Sequence, residues 1–421
     1  MTFEVILIAV LMFFVLVGIH EWGHFYVAKR VGILAREFAI GFGPKLFSLK
    51  KGETRYTFRM LPLGGYVRMA GEDPEVVQIN PGQLIAVRTK DGKITHLFLD
   101  KLDERSDVIV GTVDSIDLEH ELKVRLEIDG ELRELDVDRQ AMIVSRGQET
   151  QIAPWDRQFG SKTVGQRALV IFAGPLMNFV LAFVLFFAFV MVNGVPVEDP
   201  TYIQVGNVME DTPAEAAGLK KNDIIYEVNG ESIGADSDKL IRMISESAGT
   251  PMNWVVLRDG ERVTLEITPE NVEGEGKVGI AVQPPMRTPG ILEGLQGAGK
   301  AMYNATVQIL DAIRMLVTLQ LSMDDLGGPV RIAEVTGEAY SLGVGMLLFW
   351  VALLSLYLGI FNLLPFPALD GSRLIFFLAE AIRGKPVDPQ REGMVHFIGF
   401  AMLMLLMIAV TYNDILRLFK G

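Results

Sequence analysis

The chain has 421 residues and no cysteine, so disulfides are excluded and a zinc site would have to use histidine and carboxylate ligands. Half of the residues are hydrophobic, yet 22% are charged, which indicates apolar segments joined to polar ones rather than one uniform soluble domain. The net charge of −13, without a stripe of basic residues, argues against a nucleic-acid partner.

The first apolar segment, residues 1–30, contains a His-Glu-x-x-His motif. Side chains at i and i+4 lie on one face of a helix, so His20 and His24 can direct two imidazoles to one metal ion, with Glu21 beside them. Ionisable groups at bilayer depth cost roughly 2.5–3.5 kcal/mol each on insertion scales, and they are therefore functional by default. The alternative is a pair of helix histidines placed by chance.

Four segments are apolar and long enough to cross a bilayer as helices, which takes roughly 20 residues each. With their flanks, these predicted spans are residues 1–30, 164–195, 344–371 and 394–417. Basic residues flank the loops after the first and third spans, so the positive-inside rule places both loops in the cytoplasm. Residues 194–343 and both termini are then expected on the outer side. The resulting fold class is a multi-domain membrane protein with an α-helical four-span core.

Residues 31–72 predict a membrane-associated β-hairpin. Thr54–Met60 alternates with a period of two, and Leu61–Met69 breaks at proline and glycine before the alternation resumes. An ordinary soluble β-ribbon is the alternative.

Residues 73–163 are polar and strand-like, with Asp91-Gly92 and Asp129-Gly130 as turn signals. They predict a β-rich insert on the cytoplasmic side, and no catalytic set of residues is present in it.

The second span contains Gly174-Pro175 and, shortly afterwards, Asn178. A proline and an asparagine in a span favour close helix packing and interhelical hydrogen bonds. Asn178 is therefore interpreted either as a packing residue or as part of the wall of an active-site cavity.

Residues 200–285 predict a small α+β domain on the extracytoplasmic side. Ala214–Gly230 resembles the signature of bacterial PDZ domains, with a short helix, a Gly-Leu turn and a strand that ends at Asn-Gly. Such a domain binds a peptide end by adding it as a strand to a sheet edge. A PDZ fold that acts only as a steric plug is an equal alternative.

Residues 290–343 contain an amphipathic helix around Ala298–Met315 and a predicted turn at Leu326–Val330. This pattern indicates a membrane-surface helix followed by a partly embedded turn. A soluble helix packed on the PDZ-like domain is the alternative.

The third span ends in the stretch Gly359–Gly371, in which Asn362 is followed by Pro365, Pro367 and Asp370. Two prolines stop a helix and leave free backbone groups, which at membrane depth are tolerated only in a protein-lined or wet cavity. Catalytic zinc sites use three protein ligands, often two histidines and one carboxylate, so Asp370 is the expected third ligand. As a lone aspartate before glycine, it could instead be a turn residue.

Together these motifs resemble the site-2 protease family of intramembrane zinc metalloproteases, in its bacterial branch and most closely the type with a single PDZ domain. The resemblance extends in family order over nearly the whole chain, including Ile40–Pro44, Leu61–Met69, Gly174-Pro175 with Asn178, and Asn362–Gly371. It implies a four-span core in a bacterial plasma membrane, and the charge distribution around the first span places the active site toward the cytoplasm.

The resemblance also implies roles for individual residues. One Zn²⁺ would be held by His20, His24 and Asp370, with Glu21 as the base. A hairpin edge would clamp the substrate as an extended strand, through Gly64, Gly65, Tyr66, Val67 and Met69. A bend would line the opposite side of the substrate site, through Asn362, Pro365 and Pro367. Substrates in the family are single-span membrane proteins, such as trimmed anti-sigma factors, and remnant signal peptides.

The chain departs from the family pattern at Tyr357, where asparagine is usual, and at Ser372, where a second glycine is common. Two other function classes stay open at this point. A metal-ion transporter would use the same histidines and aspartate as a transit site, and a catalytically inactive relative would act as a membrane chaperone or scaffold.

Overall fold

The computed structural model describes residues 2–72, 79–102, 107–209, 211–272, 274–318, 320 and 327–420. Parts of the predicted insert (73–78 and 103–106) and Leu326 of the predicted turn lie outside these ranges. The chain divides into two compact units, of which the first comprises residues 1–186 and 301–421 and the second residues 187–300.

Nine α-helices occur within the described ranges. They are α1 (Phe3–Arg30), α2 (Val164–Asn193), α3 (Pro213–Ala216), α4 (Ser237–Glu246), α5 (Ile291–Val317), α6 (Pro329–Ser341), α7 (Val344–Asn362), α8 (Asp370–Arg383) and α9 (Pro389–Lys420). By length and hydropathy, four helical segments of the described chain could cross a membrane, namely α1, α2, α7 and residues 390–417 of α9. Pro329 and Val330, which the sequence placed in a turn, are the first residues of α6.

Helices of the first unit approach each other closely where a glycine of one helix faces its neighbour. A Cβ on Gly359 of α7 would lie 3.3 Å from the Pro175 carbonyl oxygen of α2. Ser355, one turn before Gly359, donates a 2.9 Å hydrogen bond to the Asn178 carbonyl. Small residues allow such contacts between apolar helices. These contacts bring α2 and α7 together beside the histidines of α1.

Two long strands, β1 (Ala35–Lys51) and β2 (Thr54–Met69), follow α1. They do not form a simple hairpin, because residues 37–40 of β1 pair on one side with 65–68 of β2 and on the other with 55–58. Each strand folds back on itself, and the result is a mixed four-stranded sheet in the order 64–69, 35–42, 54–61, 45–51, in which 54–61 runs parallel to 35–42 and the other neighbours are antiparallel. Gly41, with φ +90°, lies at the fold in β1, where a Cβ would be 2.7 Å from the Leu61 carbonyl oxygen.

One face of this sheet packs on α1. Phe38 and Tyr56 contact the ring of Phe25, with centroids 5.4 and 5.8 Å apart, and Phe58 lies near Phe14. Burial of these aromatic rings fixes the sheet against the helix that carries the histidines.

The predicted insert forms a six-stranded sheet in the order β4-β3-β5-β6-β7-β8. Its strands are β3 (Leu84–Lys90), β4 (Lys93–Phe98), β5 (Ile109–Asp117), β6 (Lys123–Ile128), β7 (Glu131–Ser145) and β8 (Gln148–Gln151). Because β4 also pairs with β7 in parallel, the sheet closes around an aliphatic core. Arg157, which follows the insert, binds Glu53 in the β1–β2 turn, and this hydrogen-bonded ion pair lowers the pKa of Glu53 to about 2.

The second unit has an antiparallel sheet in the order β14-β13-β11-β10-β17, with β12 paired to β11. The strands of the whole second unit, inside and outside this sheet, are β9 (Val195–Pro196), β10 (Ile203–Val208), β11 (Ile224–Val228), β12 (Glu231–Ser232), β13 (Met252–Arg258), β14 (Glu261–Ile267), β15 (Glu270–Val272), β16 (Glu275–Lys277), β17 (Ile280–Gln283) and β18 (Met286–Arg287). Trp254 is fully buried in its core, and α3 and α4 complete an α+β domain.

Candidate active site

His20 and His24 lie one turn apart on α1, and both are buried. Their Nε2 atoms are 3.2 Å apart. This separation is expected when two imidazoles on one helix face point to the same position.

Asp370 approaches the histidines from a different part of the chain. The helix α7 ends at Asn362, the prolines prevent its continuation, and α8 begins at Asp370. Asp370 Oδ2 lies 3.2 Å from His20 Nε2 and 3.4 Å from His24 Nε2. The first turn of a helix stabilises a carboxylate through the helix dipole, so the start of α8 suits this residue.

The outer nitrogens of both rings are held by α2. His24 Nδ1 is 2.8 Å from the carbonyl oxygen of Val170, an acceptor, so Nδ1 carries the proton and Nε2 has a free lone pair. His20 Nδ1 lies 3.1 Å from the side-chain amide of Asn178. The oxygen and nitrogen of an amide are exchanged by a flip, and with its oxygen toward the ring Asn178 accepts from His20 Nδ1 and leaves Nε2 free for a metal.

These residues fit a zinc ion. With both Nδ1 atoms protonated, two nitrogen lone pairs and a carboxylate oxygen converge, and Asp370 Oδ2 has no hydrogen-bond donor among the described residues. The three atoms form a triangle with sides of 3.2, 3.2 and 3.4 Å, whose centre is about 1.9 Å from each corner, close to the ~2.0–2.2 Å bonds of zinc. They form the one set of three or more candidate metal ligands in the part of the chain that the structure describes.

Glu21 lies beside this set on the wall of a cavity of about 440 Å³. The backbone of Gly65 packs directly on it, and a Cβ there would be 2.7 Å from Glu21 Cγ. The cavity is lined by Val17, His20, Glu21, His24, Gly64, Gly65, Tyr66, Val67, Met69, Glu72, Ile171, Leu358, Asn362, Ala368, Asp370 and Arg373.

One wall of the cavity is a sheet edge. Residues 64–69 pair with 35–42 on one side, and the described residues contain no strand that pairs with the other side. An edge of this kind presents backbone N–H and C=O groups that can pair with an extended peptide.

The structure brings most of the predicted site residues to this cavity, but not all of them. Pro365 and Pro367 were expected to line it, and they lie outside its wall. Pro365 is exposed, and Pro367 packs against Gly399 of α9. The reason is that the bend turns its Ala368 side to the cavity and its proline side to α9.

Sequence reasoning missed two residues of the cavity wall that carry charge, Glu72 and Arg373. Arg373 lies one turn after Asp370 on α8, a helix that the sequence analysis treated as a link between spans. The amphipathic pattern of residues 370–383 is the signal that could have revealed it.

Comparison with known proteins gives matches over nearly the whole length. A model described as peptidase family M50 matches residues 8–406. Zinc metalloprotease RasP of Geobacillus kaustophilus is 45% identical over 422 residues, which covers 99% of each chain. Regulator of sigma-W protease RasP of Bacillus subtilis is 42% identical over 416 residues, with 97% of this chain and 98% of the relative covered.

Among solved structures, the PDZ domain of the SdrC-like protein from Listeria innocua aligns with 21% of this chain and 99% of its own, at 24% identity and a TM-score of 0.18. The family model covers the cavity and the apolar helices as far as residue 406, within α9, and the curated relatives cover all four of these helices. The resemblance inferred from the motifs is confirmed, and the chain belongs to peptidase family M50, the site-2 protease family.

Proposed function

We propose that this chain is a zinc-dependent intramembrane endopeptidase that cleaves the transmembrane segments of single-span membrane proteins. The observation that carries the proposal is the geometry of one cavity. His20, His24 and Asp370 converge within 3.4 Å of one another, Glu21 stands beside them, and the adjacent wall is a strand edge that has no partner strand among the described residues.

His20, His24 and Asp370 hold the metal, and Glu21 handles the proton. When bound, Zn²⁺ polarises the scissile carbonyl and lowers the pKa of water to about 7. The Glu21 carboxylate takes a proton from the attacking water and delivers it to the nitrogen of the leaving amine. Val170 and Asn178 keep the ring nitrogens oriented during this exchange, since each holds one Nδ1–H.

The sheet edge can replace the backbone hydrogen bonds that a helical substrate loses when it unwinds. Peptide bonds in a membrane helix are shielded by their own hydrogen bonds, so the helix must unwind before it is cut. An unpaired backbone group costs several kcal/mol in an apolar setting. Residues 64–69 offer replacement partners along the cavity, and glycine at 64 and 65 lets this edge pack closely against Phe42 and Glu21.

The proposed orientation places the cavity toward the cytoplasm. His20 and His24 lie in the second half of α1, which ends at Lys29 and Arg30. The link between α7 and α9 also carries Arg373, Arg383 and Lys385. Basic residues concentrate on the cytoplasmic side, so the second unit lies on the extracytoplasmic side.

The substrate class is proposed from the site and one relative. A cavity at the end of a span admits one unwound segment rather than a folded domain. The Bacillus subtilis relative is named as a regulator of sigma-W, which suits an anti-sigma factor already trimmed outside the membrane. Remnant signal peptides have the same single-span form.

The test uses the purified chain in liposomes with a single-span helical substrate. We expect Glu21→Gln to lower the cleavage rate by about 10²–10⁴-fold, because general acid–base catalysis contributes that much. A zinc chelator should stop cleavage, and added zinc should restore it. Glu4→Gln, a change of the same type at the exposed start of α1, is the control and should cleave normally.

Two outcomes contradict the proposal. Cleavage that continues with the chelator, or in Glu21→Gln with its zinc retained, rules out this chemistry. A metal-ion transporter would instead move zinc across the liposome without cutting the substrate, and an inactive scaffold would do neither.

A further inference from the structure

Glu72 and Arg373 meet on the cavity wall as an ion pair. The guanidinium Nη1 of Arg373 donates to Glu72 Oε1, and both side chains are largely buried. The two residues are 301 positions apart in sequence. The proposed mechanism gives neither of them a role. Removal of one partner from a buried charge pair is strongly destabilising, because the other charge is left unpaired.

Glu72 belongs to the end of the sheet edge. It follows residues 64–69 after only Ala70 and Gly71, and Ala70 is fixed on both sides by backbone hydrogen bonds to Leu34 and Phe159. Glu72 therefore lies on a short extension of the edge strand whose backbone is held at Ala70.

Arg373 belongs to the metal-ligand side of the cavity. It lies one turn after Asp370 on α8, and its guanidinium stacks 5.6 Å above the ring of Phe159. Its Nε is 4.0 Å from Glu392 of α9.

Glu392 links this arginine to the bend before Asp370. It lies 3.7 Å from His396 Nε2, and His396 Nδ1 accepts a hydrogen bond of 3.1 Å from the backbone N–H of Ala368. Ala368 has φ +76°, an unusual conformation for a residue with a side chain, and it precedes Asp370 by two positions. One chain of contacts thus connects the edge strand, α8, α9 and the bend.

We propose that Arg373 is a positioning residue that sets the distance between the substrate-pairing strand and the metal ligands. The inference rests on the proposed function. The strand holds the substrate and α8 holds a ligand, yet β2 and α8 are about 300 residues apart in the chain. A 1 Å misplacement of reacting groups can cost about 10²-fold in rate, so a fixed bond between the two elements directly affects cleavage.

The test is a double-mutant cycle with Arg373→Gln and Glu72→Gln. We expect each single variant to lower kcat by about 10- to 100-fold, with KM and zinc content close to wild type, because the strand still pairs with substrate but is misplaced. The kcat of the double variant should be no lower than that of either single variant, since all three variants lack the same bond. Arg373→Lys keeps the charge and should recover part of kcat.

Hydrogen exchange supplies a readout that does not depend on activity. The backbone amides of residues 64–72 should exchange faster in Arg373→Gln and in Glu72→Gln, because the strand end is released. Arg383→Gln is the matched control, since Arg383 is an exposed residue at the end of the same helix and should change neither exchange nor cleavage.

Three results would overturn this inference alone: wild-type kcat in the single variants, losses that multiply in the double variant, or loss of zinc from Arg373→Gln. If the wild-type chain itself cuts no substrate, the proposed function fails instead. In that case unchanged exchange at residues 64–72 would still refute the positioning role.

Discussion

At the scale of single residues, the site depends on which nitrogen of each imidazole carries the proton. Val170 and Asn178 of α2 decide this for His24 and His20. The sequence identified both histidines by their spacing, but it left Asn178 between a packing role and a cavity role. Helix periodicity cannot show which face of a second helix, 158 residues away, meets the ring.

Asn178→Ala should lower zinc affinity by about 10- to 100-fold, the usual cost of removing a hydrogen-bond partner of a metal-bound histidine. Asn178→Asp keeps an acceptor at the same place, so its zinc affinity should stay close to wild type. Competition with a chelator of known affinity measures the change.

Ser355→Ala is the control for this experiment, because Ser355 bonds the backbone of residue 178 and not its side chain. Equal zinc affinities for Asn178→Ala and Ser355→Ala would show that Asn178 does not orient His20.

At the scale of elements, the sheet after α1 is the feature that sequence patterns predicted least completely. Alternation and breaks at glycine located the strands, and a hairpin was the simplest arrangement. The observed sheet pairs 37–40 on both sides. That arrangement depends on the fold at Gly41 and on packing against Phe25, which are tertiary effects that a local pattern does not contain.

Gly65→Ala should lower cleavage while zinc stays bound. A Cβ at this position would be 2.7 Å from Glu21 Cγ and 2.8 Å from the Ala39 carbonyl oxygen, so the strand or Glu21 must move. We expect a loss of kcat of at least about tenfold, measured with the same single-span substrate and with zinc content determined in parallel.

Gly165→Ala is the matched control, because a Cβ on Gly165 of α2 meets no atom within 4 Å. Cleavage at the wild-type rate by Gly65→Ala would show that cleavage does not depend on the close contact between the strand and Glu21, the proposed base.

At the scale of the whole molecule, hydropathy was sufficient to locate the four candidate spans, because a bilayer demands about 20 consecutive apolar residues. It could not show that α8 is a separate amphipathic helix between two of them, since 14 residues are too few to register as a span. Contacts such as Glu72–Arg373 were equally hidden, because they depend on how distant elements pack.

The proposed orientation predicts opposite accessibility for two exposed lysines. In a chain without cysteine, Lys90→Cys and Lys221→Cys each introduce a single thiol. A membrane-impermeant maleimide applied to intact bacterial protoplasts should label Lys221→Cys and leave Lys90→Cys unlabelled until the membrane is opened.

Lys385→Cys, in the exposed link before α9, serves as a second cytoplasmic marker and should behave like Lys90→Cys. Labelling of Lys90→Cys in intact protoplasts would place the insert, and with it the cavity, on the other side.

Under the proposed function, the edge at residues 64–69, which pairs with no further strand among the described residues, has a consequence for selectivity. Main-chain hydrogen bonds are the same for every amino acid except proline, so pairing with this edge distinguishes little among side chains. Discrimination among membrane helices then comes from the free energy needed to unwind them. Helices weakened by glycine or proline near the cytoplasmic end should be cut fastest, and strongly helical leucine-rich segments should resist.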